Sequence, residues 1–167
     1  MRFSMVRHAP AALVVLRVGS SLAWLDSAFV GKDAKFAASF LSGAGLAERI
    51  RDTFVHSAAT PQVAEILRIV VLPHAQIFAV LIALGDALAG ISLALGLFAR
   101  LGGAVAVLRS LVNIAVAAGM GTDAVGYNAM LALAGALVIW TDAGRLAGFD
   151  AVRVRRNPRS RGSLRSD

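Results

Sequence analysis

Apolar residues along the chain gather into four long runs, at residues 9–30, 74–98, 101–118 and 125–140. At a rise of about 1.5 Å per residue each run can cross about 30 Å of hydrocarbon, the last only barely. Because a backbone inside lipid must satisfy its own hydrogen bonds, the pattern predicts an all-α integral membrane four-helix bundle. The stretch between the first two runs, residues 31–73, is too patterned for a plain linker. Leu46, Ile50 and Phe54 repeat at helical spacing with Glu48, Arg49, Arg51 and Asp52 between them. That spacing predicts an amphipathic extracytoplasmic helix, lying on the membrane surface or over the mouth of the bundle. Thr60 followed by Pro61 reads as a cap and first-turn pair opening a second short helix through Val71. The segment is either a lid or a connector that only shapes the bundle.

Three charged residues interrupt the apolar runs: Arg17, Asp86 and Arg109. Counted from Ala9, His74 and Leu101 as points of membrane crossing, each lies roughly 12 Å from one membrane face, so their depths are expected to match. An ionisable group inside a membrane marks a functional site with a partner to be named. The partner of Asp86 is Arg17, Arg109 or both. Helical spacing puts Arg17 on one face with Ser20, Ser21 and Trp24, and Arg109 on one with Gly102, Ala106 and Asn113. Asp86 stands among Ala79, Ala83, Ala89 and Gly90, small residues that admit a neighbouring helix. An isolated aspartate there would be driven neutral by desolvation, whereas an arginine stays charged and favours the carboxylate.

Two arginines to one aspartate leave positive charge over, because Asp26 is nine residues from Arg17 on roughly the opposite face. The sharp reading is a ligand site in which Arg17, Trp24, Asp86, Arg109 and Asn113 receive a quinone carbonyl or a small oxyanion, Trp24 stacking on a ring. The plain reading is a structural ion pair that fixes helix register, with the second arginine reaching to lipid phosphate. Asn128 is expected to hydrogen-bond between helices, and Tyr127 and Trp140 to act as interfacial anchors.

Composition agrees with a membrane chain: 57% of the 167 residues are hydrophobic and 16% charged, against about 25% charged in soluble domains. Arg17 breaks the first run and no small-x-small cleavage site follows Trp24, so this run is read as a retained helix rather than a secretory signal. Ten basic residues fall on the side of the two termini and five on the other, which predicts a multi-pass protein of the inner membrane with cytoplasmic termini. Residues 1–152 form the membrane domain. Residues 153–167 carry six arginines and one acid, so they are expected to be a disordered basic cytoplasmic tail beside anionic lipid rather than a nucleic-acid binder. The absence of cysteine removes disulfides, thiolate nucleophiles and cysteine-ligated clusters, so sulfur chemistry must use another chain. His8, His56 and His74 stand at or beyond the membrane boundaries, which argues against a haem or zinc between the helices, and no spacing for a flavin or dinucleotide is present.

Several short motifs resemble the DoxX and DoxD-like membrane proteins. Gly85-Asp86, Gly90 and Leu95-Gly96-Leu97-Phe98-Ala99-Arg100 are similar to that family's second-helix pattern. Leu16-Arg17-Val18-Gly19 resembles its opening, and Ala143-Gly144-Arg145 with Gly148 and Asp150 its closing segment. The resemblance implies a four-helix membrane bundle and, for the DoxD-like branch, a subunit of a thiosulfate:quinone oxidoreductase, with quinone as electron acceptor. By position it carries over Arg17, Asp86 and Arg100. Asp86 replaces the family's usual glutamate, Lys32 only approximately meets an expected lysine, and Arg109 lies outside the matched pattern. The expected partners are the bilayer, a second redox subunit or soluble oxidoreductase, and further copies of this chain. The alternative is a non-catalytic anchor or assembly factor for a soluble redox enzyme. A small-solute carrier is disfavoured, since neither a broken mid-membrane helix nor a repeated half is evident.

Overall fold

A computed structural model describes residues 9–32 and 34–141. The basic tail, the closing motif, Arg2, Arg7, His8 and Asp33 lie outside the described residues. The architecture is all-α, with no strand among the described residues. Four helical runs are long and apolar enough to cross a membrane: Ala11–Val30, Pro61–Leu95, Ala99–Met120 and Thr122–Thr141.

The first run is α1 (Ala9–Leu25), continued by a π-helical turn at Asp26–Val30. The helices α6 (Ala75–Leu95), α7 (Ala99–Ala117) and α8 (Thr122–Thr141) complete the bundle, each antiparallel to the one before. Two differences from the sequence-based spans have clear causes. The second span ends at Leu95 rather than at residue 98, because Gly96 and Phe98 adopt left-handed conformations with φ of 63° and 51° that reverse the chain. Ser92 secures this reversal by donating to the carbonyls of Leu97 (2.6 Å) and Phe98 (3.0 Å). The fourth span has 20 residues rather than 16, so at about 1.5 Å per residue it crosses the hydrocarbon fully.

Between the first two spans, α2 (Ala38–Leu41), α3 (Ala44–Arg49), α4 (Val55–Ser57) and α5 (Pro61–Ile66) form a cap, with π-helical turns at Ile50–Phe54 and Leu67–Val71 and a 3-10 turn at Leu72–His74. The expected amphipathic helix is present, and of the two positions open to it the structure takes the mouth of the bundle. Leu46 and Ile50 are buried with Phe40, Leu67 and Ala79, and Phe54 packs against them. Thr60 accepts a hydrogen bond from the Val63 amide at 3.4 Å and Pro61 begins α5, as the pair predicts. The cap seats tightly: at Gly43, where φ is 85°, an added Cβ would lie 2.5 Å from the backbone nitrogen of Gln76.

Two apolar clusters result. The cluster on the cap side includes Phe40, Leu46, Ile50, Leu67 and Ala79, and that on the termini side Trp24, Ala89, Leu93, Ala99, Ala106 and Val138. Large apolar side chains such as Leu22, Leu81, Leu108 and Leu133 point outward from all four spans. Water would penalise that arrangement, whereas lipid requires it.

Candidate functional site

Asp86 lies on α6 between Ala79 of one cluster and Ala89 of the other, and only 1% of it is exposed. Both carboxylate oxygens are engaged. Arg109 Nε donates to Oδ1 at 2.9 Å and Ser27 Oγ donates to Oδ2 at 2.9 Å. Ser27 belongs to the π-helical turn that ends the first span, a local widening that often accompanies functional sites. The aliphatic stem of Arg109 lies over Gly85, where an added Cβ would make ordinary contact at 3.6 Å.

From Arg109 the polar contacts continue. Its Nη1 donates to Asn113 Oδ1 at 3.4 Å, one turn along α7. Asn113 Nδ2 donates to Asn128 Oδ1 at 3.1 Å, and Asn128 Nδ2 to the Ala124 carbonyl at 2.8 Å. One hydrogen-bonded chain, Ser27–Asp86–Arg109–Asn113–Asn128, therefore crosses all four spans within about one helical turn of depth. In low dielectric each of these bonds is stronger than it would be in water, and each member costs more if left alone. Asn128 serves as the interhelical hydrogen-bonder its position predicted.

Arg109 does not exhaust its capacity. A guanidinium offers five N–H donors, and two of them are used among the described residues. Its side chain is 13% exposed, and Leu108 and Val112 beside it on α7 face outward. The cation is thus anchored by Asp86 and Asn113 while part of the side chain stays accessible.

Arg17 is placed elsewhere. It is buried, but its guanidinium packs against Gly96, where an added Cβ would be 2.5 Å from Nη1. Gly96 is ten residues from Asp86, about 15 Å of helix rise. Equal depth for the three charges was expected from counting inward at Ala9. However, α1 is displaced toward the termini side, so that Leu25 meets Gly90 and Ser27 meets Asp86. Arg17 thereby stands at the C-terminal end of α6, where a cation is favoured by the helix dipole. The aspartate is matched by one arginine at its own level, and the expected surplus of positive charge there is not formed.

Trp24 lies in the apolar cluster one turn from Ser27, 3% exposed, and its indole nitrogen has no hydrogen-bond partner among the described residues. Ser110 Oγ, next to Arg109 in sequence, is likewise buried without a partner. Sequence reasoning missed Ser27, although it continues the face of Arg17, Ser20 and Trp24 by one turn. Asp26 is exposed and supplies no counter-charge here, while its neighbour Ser27 meets the Asp86 carboxylate. Arg100 is exposed in the first turn of α7, and Tyr127 and Trp140 are exposed toward the two ends of α8. On the cap, Lys32, Ser39, Glu48, Arg49 and Asp52 line a half-open cleft of about 430 Å³, separate from the intramembrane chain.

The family model described as TQO small subunit DoxD matches residues 12–161. No curated protein and no solved structure matches.

Proposed function

The chain belongs to the DoxD family, and from that premise we propose that Arg109, held by Asp86 and Asn113, receives the carbonyl oxygen of a membrane quinone. The chain is a membrane-embedded subunit of a quinone-linked oxidoreductase, and such a subunit implies a partner subunit. The observation that carries the reading is the half-anchored guanidinium: fixed by Asp86 at 2.9 Å, with N–H donors left over and part of its surface open to lipid. Quinones reside among acyl chains, and a carbonyl at that depth would otherwise find no donor.

In chemical terms, reduction of a quinone to a quinol takes two electrons and two protons. Negative charge develops on the carbonyl oxygens before protonation, and a preorganised cation in a dry site stabilises it more than water does. Asp86 holds the guanidinium in orientation, Ser27 fixes the carboxylate, and Asn113 offers a second polar contact. Trp24, one turn away, borders the site with its unpaired N–H. This chain has no cysteine, so thiosulfate chemistry and delivery of the electrons fall to the partner subunit. A small oxyanion at the same guanidinium is the related alternative. The distribution of basic residues supports cytoplasmic termini in an inner membrane.

A second reading rests on a different observation. Both Asp86 oxygens are satisfied and the Asp86–Arg109 pair is neutral, as in a purely structural staple, which would make the chain a non-catalytic anchor for its partner. Titration of a short-chain quinone into the purified complex in nanodiscs separates the two. Arg109→Gln removes a charge-assisted hydrogen bond, which corresponds to a loss of about tenfold to a hundredfold in affinity. Unchanged affinity in a folded Arg109→Gln complex would leave the anchor reading standing.

A further inference from the structure

The helical run Pro61–Leu95 has 35 residues, about 52 Å if straight, whereas the hydrocarbon core is about 30 Å thick. Its α6 portion, with 21 residues, already spans that core. The remainder, Pro61–His74, belongs to the cap, and beside its exposed Gln62, Glu65, Arg68 and His74 it also exposes large apolar side chains. Ile66, Ile69 and Val70 are exposed, Ile69 by 61%. They prolong the row formed farther along by Ile77 and Leu81, which are exposed on the membrane-spanning helix itself. On the inner side of the same segment, Leu67 is buried in the cap cluster, with Val63, Val71 and Leu72 packed against it. The segment is therefore apolar on two sides, one already covered by protein and one uncovered.

We infer that the uncovered side of residues 61–74 is embedded in the phospholipid leaflet on the cap side, so that the lid is fastened to the bilayer as well as to the bundle. Continuity with the lipid-facing surface of α6 identifies the occupant. A partner protein bound there would have to share one apolar face with acyl chains, without a polar boundary between them. Gln62, Glu65, Arg68 and His74 are exposed beside the apolar residues, and of these Arg68 can reach phosphate while its neighbours remain among acyl chains. A helix in this position lies about 5–10 Å into the boundary between headgroups and chains.

The lack of native cysteine permits a direct test on the full chain. Single variants Ile66→Cys, Ile69→Cys and Val70→Cys, each carrying a nitroxide label, are reconstituted into phosphatidylethanolamine–phosphatidylglycerol vesicles. Collision with dissolved oxygen is then compared with collision with a water-soluble nickel complex. Leu84→Cys on the lipid face of α6 and Glu48→Cys in the cap cleft set the two extremes. The expected result is oxygen-dominated collision at positions 66, 69 and 70, several-fold above the ratio at position 48 and approaching that at 84. Nickel-dominated collision at all three would overturn the inference, and so would protection from both reagents, which would assign the face to protein. Quinone affinity plays no part in this readout, so its outcome is independent of the Arg109 reading.

Discussion

Asp86 and Arg109 stand or fall together, because each is the other's reason for being tolerated in a low-dielectric interior. Removing one partner of a buried ion pair typically costs about 3–5 kcal/mol, since the survivor remains charged and uncompensated. Asp86→Ala is therefore expected to lower stability by that order in thermal unfolding of the reconstituted protein. The double variant Asp86→Leu with Arg109→Met should lose markedly less than the two single losses added together. Additive losses would mean that the 2.9 Å contact is not the source of the coupling. Arg17 behaves differently at this scale. Its contact with Gly96 ties the Leu-Arg-x-Gly opening to the Leu-Gly-Leu-x-x-Arg turn, so two motifs far apart in sequence describe one structural junction. Arg17→Gln should destabilise the turn and leave quinone affinity unchanged.

Among the elements, α7 and α8 cross with their backbones in close approach. A Cβ on Gly103 would lie 2.9 Å from the Gly135 carbonyl oxygen, and one on Gly135 would lie 2.8 Å from that of Gly103. Small residues at such crossings let helix backbones approach in lipid. Gly103→Ala and Gly135→Ala should each cost about 1–3 kcal/mol through overpacking, measured by denaturant titration in detergent. Gly126→Ala on α8 meets nothing within 4 Å, and it should instead raise stability by up to about 1 kcal/mol through helix propensity. The four spans and two helical stretches of the cap, around Leu46–Phe54 and from Pro61, were legible in the sequence, because period, length and the Thr60–Pro61 cap are local signals, whereas α2 was not. The relative sliding of α1 against α6 was not, since no residue count within one helix reports where its neighbour stands. Arg17 was consequently assigned to the level of Asp86. Ser27 escaped because the face was followed only to Trp24, and because the π-helical turn that carries it departs from a regular helix.

At the level of the whole molecule, a polar chain divides two apolar cores, and the cap packs onto the core farther from the termini. This arrangement separates the ion pair from the cap-side surface, and in the proposed function the accessible part of Arg109 faces lipid. The excess of basic residues near the termini favours a cytoplasmic placement of both, as proposed above. In intact cells, an impermeant maleimide should label Ser39→Cys on the cap, but label Arg100→Cys at the α6–α7 turn only after permeabilisation. The opposite pattern would invert the topology. Photolabelling the purified complex with an azidoquinone, with the adduct mapped by mass spectrometry, tests the docking of quinone at Arg109. The adduct is expected on α7 around Arg109–Asn113 or on the facing part of α6 near Gly85. Labelling confined to the Arg17–Gly96 junction, or found only on the partner subunit, would contradict it.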